Sequence, residues 1–266
     1  MGNVAHSSQV RLAVVLAGGK GSRLRKYSGG LLKPLMPIAG NPILSYVVRG
    51  LAGSGVDSIV VAGGEDSSEL CDAMGSFDGA KLVPVKAGTP SCCVNHSLLA
   101  CADELDGPFV LAHGDIIPPI GSFGALQDEF SRLGNPPCLA ALSPHPRITT
   151  HPYSRADKTG RLREIRLRKP MHRGASSEKW LCWIGLTVLD RSVLEMLPSG
   201  GKLCGVPEAL LANRIDSLVV MSFIVRDYWF HLAYLKDLVE ARRGLPRGLL
   251  EGYGRVGSDN RVDFLP

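Results

Sequence analysis

The stretch "LAVVLAGGKGSRLRKYSGGLLKPLMPIAG", Leu12 to Gly40, decides how the rest of the chain is read. Its opening is apolar, and Val10–Leu16 reads as a buried strand. A glycine-rich loop follows, with Gly18, Gly19 and Gly21, and then Arg23, Arg25 and Lys26. Lys33 stands ten residues beyond Arg23, directly before Pro34. The glycines let the backbone pass close to a ligand and turn its N–H groups inward. Two cations at that spacing can clamp a polyphosphate from opposite sides. The loop is not a Walker A loop, because no G-x-x-x-x-G-K-[ST] is present. It is not a dinucleotide fingerprint either: Gly19 and Gly21 begin one, but Leu24 stands where the third glycine belongs.

Working outward, apolar runs alternate with helical patterns. "NPILSYVVRGLAGSG" predicts a helix with Asn41 as N-cap, Pro42 at the first helical position, and Ile43, Val47 and Leu51 on one face. "SIVVAGG" and "KLVPV" read as strands, and Ser91 to about Leu105 as a helix. "PFVLAHGD" is a strand that delivers Asp115 at its C-terminal end, and a helix near Phe123–Leu133 precedes the strand "CLAALS". Such alternation predicts an α/β fold with an open, mostly parallel sheet and helices on both faces. Ligands in these sheets bind outside the carboxyl ends of the strands. The glycine loop and Asp115 both fall there.

After Ser143 the pattern changes. "HPRITTHPYSRADKTG" reads as a loop and "RLREIRLRKP" as a strongly basic alternating segment. "WLCWIGLTVL" and "LVVMSFIVRDYWF" read as strands, and "LAYLKDLVEARR" as an amphipathic helix. We expect one domain over 1–245, with a nucleotide-binding half at 10–143 and a second half at 144–245, then a short C-terminal tail at 246–266.

Composition bounds the function. The 266 residues are 45% hydrophobic and 21% charged, ordinary for a globular chain, and the net charge is +5. That charge is too mild to imply nucleic acid, and the basic segment lacks aromatic interleaving. No apolar stretch reaches the roughly 20 residues that span a bilayer. "MGNVAHSSQVRL" has no apolar signal core, so a cytoplasmic protein is expected. The seven cysteines show no CxxC pair or metal-ligand spacing and read as reduced thiols.

Leu16-Ala17-Gly18-Gly19-Lys20-Gly21-Ser22-Arg23-Leu24, together with "KPLMPI" from Lys33 and Gly40-Asn41-Pro42, closely resembles the signature of the sugar-1-phosphate nucleotidylyltransferases, which have a Rossmann-type, GT-A-like fold. The Arg-to-Lys spacing suits that family better than the molybdenum-cofactor guanylyltransferases or the methylerythritol-phosphate cytidylyltransferases, whose spacing is shorter. "KPLMPIAGNPIL" looks nearest to the heptose- and cyclitol-phosphate guanylyltransferase branch. The resemblance continues downstream. Gly88-Thr89 sits at the family's base-binding segment, with Pro90 and Ser91 in place of its small residues. His113-Gly114-Asp115 matches the motif that supplies a magnesium ligand. Arg168-Lys169-Pro170 matches the motif whose lysine contacts the sugar phosphate, with arginine replacing a glutamate, and Gly185 matches the glycine of the next strand. His231 stands where the family has its second metal-ligating aspartate.

The resemblance implies attack of a sugar-1-phosphate oxygen on the α-phosphorus of a nucleoside triphosphate, with loss of pyrophosphate. Positioning and charge neutralisation dominate such transfers. Leu16, Ala17, Gly18, Gly19, Gly21, Ser22, Gly88 and Thr89 are the implied nucleotide contacts. Arg23, a bidentate fork, suits the β- and γ-phosphates, and Lys33, a point charge, the α-phosphate. Lys169 and Gly185 fall to the sugar phosphate. Asp115 and His231 fall to the metal, Mg²⁺, with Mn²⁺ or Co²⁺ favoured if the imidazole is a ligand. GTP is expected ahead of ATP. Nucleic-acid and membrane partners are not expected, and a homo-oligomer is allowed. The departures at Arg168 and His231 leave one alternative open, a regulatory homologue that binds nucleotide sugars without making them.

Overall fold

A computed structural model describes residues 10–19, 21–75, 77, 79–87, 94–145, 151–167, 180–197 and 218–264. In chain order the elements begin with β1 (Leu12–Leu16), β2 (Pro37–Ile38), β3 (Asn41–Pro42), α1 (Ile43–Gly53), β4 (Ser58–Gly63), α2 (Ser67–Met74), β5 (Lys81–Lys86) and α3 (Val94–Ala100). They continue with β6 (Phe109–His113), β7 (Ile116–Ile117), α4 (Gly121–Arg132), β8 (Cys138–Ser143), β9 (Tyr153–Ala156), β10 (Leu162–Arg166) and β11 (Leu181–Leu189). The last are β12 (Val220–Ile224), β13 (Phe230–His231), α5 (Leu235–Arg243), α6 (Arg247–Glu251), β14 (Gly254–Val256) and β15 (Val262–Phe264).

The main sheet is open and mostly parallel, as the alternation predicts. β5, β4, β1 and β6 run parallel side by side. β11 is antiparallel to both β6 and β8, and β12 runs parallel to β8 at the far side. β1 lies in the middle, and its unbroken apolar run has a physical cause. Ala13 and Val15 pack into the cluster on one face, with Val47 and Leu51 of α1. Val14 packs into the cluster on the other, with Leu98 of α3. A strand covered on both faces has no polar side to alternate with.

Several expectations change. Asn41 is not the cap of α1; Pro42 holds the N-cap position, and the Asn41 amide instead donates to the Val262 carbonyl at 2.7 Å. Residues 153–156, read as loop, form β9 and pair antiparallel with β10. The single strand expected through "LVVMSFIVRDYWF" is two: β12 belongs to the main sheet, whereas β13 pairs with β7. The expected helix from Ser91 begins outside the described residues, and α3 is its visible part.

Residues 246–264, read as a tail, are folded. α6 and the β14–β15 hairpin supply Leu249, Leu250, Tyr253, Val256 and Val262 to a third cluster that also contains Leu24, Met36, Ile38 and Tyr46. Tyr46 meets Tyr253 edge-to-face at 5.0 Å and donates to the Ile38 carbonyl at 2.8 Å. Leu24 directly follows Arg23, and Met36 lies three residues past Lys33. This cluster therefore anchors the loop on which both cations ride.

Candidate active site

The carboxyl ends of β1, β4 and β6 are tied together by backbone bonds. The Ala17 N–H donates to the Ala62 carbonyl, and the Gly114 N–H to the Leu16 carbonyl, each at 2.9 Å. Above these ends lies a cavity of about 440 Å³, within the range of ligand pockets. Leu16, Ala17, Gly18, Gly19, Gly21, Ser22, Arg23, Lys33 and Asp115 all line it. Leu24, Pro34, His113, Gly114 and Ala233, with Val94 and Ser97 of α3, complete the wall; nothing in the sequence context of Val94 or Ser97 marks them. A second hollow of about 420 Å³ lies across the loop, toward Gly64, Glu65 and Asp66. Ala17, Gly18, Gly19 and Gly21 of the loop line both hollows. At Gly21, φ is +55°, and a Cβ there would lie 3.0 Å from Lys33 Cβ. Glycine is required for both the conformation and the approach.

Lys33 opens a short 3₁₀ turn, Lys33–Leu35, and its Nζ is ion-paired with Asp115 Oδ2. Both side chains are mostly covered, at 16% and 24% exposed. His231 Nε2 meets the same Oδ2 at 3.2 Å. The Leu232 N–H donates to the Asp115 backbone carbonyl at 2.9 Å, so β13 holds this residue by both chain and side chain. Burial alone pushes the Asp115 carboxyl up, but attraction from His231 and Lys33 outweighs it and holds the group well below the usual carboxylate range. It is ionised throughout the neutral range. Burial pushes the His113 imidazole down, and that ring stays neutral.

Three imidazoles gather behind the carboxylate. His151 lies 4.6 Å from His231 and 5.9 Å from His113, between ring centroids, and Trp229 stacks near His231. The His151 Nδ1–H donates to the Trp183 carbonyl at 2.8 Å. Gly185 stands against His113: its φ is +81°, and a Cβ would sit 3.0 Å from the ring carbon Cγ. Its visible contact is thus with His113, at a register shift in the β11–β8 ladder. His231 Nδ1 is buried and has no partner among the described residues. A metal-bound imidazole ordinarily donates its other N–H to an acceptor. None stands here among the described residues, and the Nε2 that would face an ion is turned to the Asp115 carboxylate instead. Asp115 Oδ1 takes no protein hydrogen bond among the described residues. A hard cation with one carboxylate and phosphate oxygens fits that oxygen. Among the described residues no group of three His, Cys, Asp or Glu side chains is arranged to hold a metal by itself.

Gly88, Thr89 and Lys169 lie outside the described residues. The sequence reading missed Tyr234, whose ring carries the Arg23 guanidinium at 5.1 Å.

Residues 13–166 match the family model described as "MobA-like NTP transferase domain". The chain belongs to that family. This NTP transferase domain is 41% identical over 109 residues to CMP-5'-(3-aminopropyl)phosphonate synthase of Streptomyces rubellomurinus, a match covering 40% of the chain and 17% of that protein. It is 26% identical to the low-salt glycan biosynthesis nucleotidyltransferase Agl11 of Haloferax volcanii, over 94% of the chain and 70% of the relative. It spans 44% of the bifunctional protein GlmU of Rhizobium etli, at 26% identity over 77% of its own length. In three dimensions it resembles the inositol-1-phosphate CTP transferase from T. maritima, with a TM-score of 0.71 at 19% identity over 88% of the chain and 96% of that structure. The NTP transferase domain therefore has the Rossmann-like fold of those enzymes. Among its described residues, no helix is long and apolar enough to cross a membrane.

Proposed function

We propose that the protein transfers a nucleotidyl group from a nucleoside triphosphate to the phosphate of a sugar or cyclitol phosphate. One observation carries this reading: a single cavity gathers the glycine loop, Arg23, Lys33 and Asp115 at the carboxyl edge of the sheet. The acceptor's phosphate oxygen forms the new bond to the α-phosphorus. The bond from that phosphorus to the β-phosphate oxygen breaks, and pyrophosphate leaves with the electron pair. The oxygen is already ionised, so no general base is needed. Loop N–H groups and Lys33 offset charge at the α-phosphate, and Arg23 takes the departing β- and γ-phosphates. Asp115, through Oδ1, would hold a Mg²⁺ that neutralises the phosphates when bound. His231 acts on Asp115 rather than on the ion, fixing the carboxylate from behind. Gly88 and Thr89 serve the base, and Lys169 and Gly185 the acceptor phosphate.

For the base, the likeness of "KPLMPIAG" favours GTP. The names of the relatives, a CMP-phosphonate synthase and an inositol-1-phosphate CTP transferase, favour a cytidine nucleotide. We adopt CTP with a cyclitol phosphate as the reading and GTP as its competitor. Pyrophosphate release tests it: four triphosphates against inositol 1-phosphate, glucose 1-phosphate, a mannose-configured heptose 1-phosphate and an alkylphosphonate, with Mg²⁺ or EDTA. Turnover that requires Mg²⁺ and prefers CTP supports the reading. Tight triphosphate binding without turnover on any acceptor would overturn it in favour of a regulatory binder, to which the departure at His231 also points.

A further inference from the structure

Arg23 is exposed, and among the described residues it makes no hydrogen bond or ion pair. A long side chain left so would sample many rotamers and lose freedom on meeting a phosphate. What holds it is a ring: its guanidinium carbon stands 5.1 Å from the centroid of Tyr234. Tyr234 is itself fixed. The buried Asp237 carboxylate accepts the N–H of Ala233 at 2.9 Å and that of Tyr234 at 2.7 Å. One residue earlier, Leu232 is bonded to the Asp115 backbone, and His231 to its carboxylate. A single turn, 231–234, thus reaches Asp115 with one end and Arg23 with the other, and Asp237 locks it. Lys236 Nζ lies 5.7 Å from the same ring and adds a second cation there.

We propose that Tyr234 is a positioning residue for Arg23, presenting the guanidinium to the pyrophosphate end of the triphosphate in a pre-oriented state. This rests on the reading of Arg23 as a phosphate contact. A flat aromatic face attracts the planar guanidinium and restricts it to one orientation while leaving its N–H edge free. The aliphatic alternative, leucine, fills the space without the attraction.

Inorganic pyrophosphate with Mg²⁺ is the probe, because it needs neither the base nor the acceptor to be known. Its affinity is measured by titration calorimetry on the full chain for wild type, Arg23→Ala, Tyr234→Leu, Tyr234→Phe and the double variant Arg23→Ala/Tyr234→Leu. Tyr234→Leu is expected to weaken binding about three- to tenfold. Tyr234→Phe is expected to restore it to within about twofold, since the ring face is kept. In the Arg23→Ala background Tyr234→Leu should cost nothing more, because its effect passes through the arginine. If Tyr234→Leu weakens binding equally with and without Arg23, the role is merely structural and the proposal is overturned. The same holds if phenylalanine is as poor as leucine. If Arg23→Ala binds normally, the phosphate reading of Arg23 has failed; if Arg23→Ala is weakened and Tyr234→Leu is not, only the present inference has. Should the leucine variant fail to fold, stepwise fluorinated phenylalanines at position 234 keep the shape and drain the ring. Affinity falling with each fluorine then supports the proposal, and constant affinity overturns it.

Discussion

Lys33→Met separates two roles that the geometry gives to one lysine. In the structure Nζ neutralises Asp115, and in the proposed reaction it also meets the α-phosphate. Loss of a preorganised charge at that phosphate should lower kcat by about 10²- to 10³-fold. The less obvious consequence concerns the metal. A divalent ion on Asp115 must approach a carboxylate already paired with a cation. Charges of +1 and +2 about 5 Å apart repel by about 2 kcal/mol at an effective dielectric constant of about 60, between surface and bulk values. Removing the lysine removes that repulsion, so the free enzyme should bind the ion roughly 30-fold more tightly while turning over far more slowly. His231 still donates to Asp115 in the variant and keeps the carboxylate oriented. Mn²⁺ titration of nucleotide-free protein, followed by electron paramagnetic resonance, measures the affinity; pyrophosphate release measures kcat. Unchanged or weaker Mn²⁺ binding by Lys33→Met would refute the idea that lysine and metal compete for Asp115.

Three further outcomes are expected. His231→Asp removes the donor that lies 3.2 Å from Asp115 Oδ2 and turns a second carboxylate toward the first; in EDTA the variant should lose about 2 kcal/mol, roughly 5 °C in Tm, and millimolar Mg²⁺ should restore it. Gly185→Ala must adopt φ +81° with its Cβ 3.0 Å from the His113 ring, which should cost about 2 kcal/mol or more in denaturant unfolding; a neutral result would mean that β11 relaxes there. Burial pushes the His151 imidazole down to about 3, well below its unfolded value. Below about pH 6.5 the unfolded chain therefore binds a proton that the folded chain refuses, so stability is full above that pH and falls as pH drops toward 3. Between pH 6.5 and 5 the His151 share of the loss should be about 2 kcal/mol, and His151→Gln should reduce the slope by that share, the buried His113 keeping the rest; equal slopes in both proteins would exclude His151 as a source.

The amino-acid sequence by itself determined the strands and the glycine loop of the first half of the chain. β1, β4 and β6 are covered on both faces, so their residues form apolar runs, and local pattern is enough to find them. The glycine loop is legible for the same kind of reason: Gly21 needs a positive φ, and only glycine meets that need beside Lys33. Arg23, Lys33 and Asp115 converge because they end or follow strands that lie side by side. What tertiary structure alone decided involves partners far apart in the chain. Asn41 looked like a helix cap, but its amide is claimed by a carbonyl 221 residues away. The run through Phe230 looked like one strand, yet β7 offered β13 a separate partner. Residues 246–264 read as a tail because their apolar side chains are too few to form a core, and they fold by joining the cluster beneath the loop. The ring under Arg23 and the bond from His231 to Asp115 join side chains separated by 211 and 116 residues. Local patterning shows which residues must be buried or turned; only packing selects the neighbours they meet.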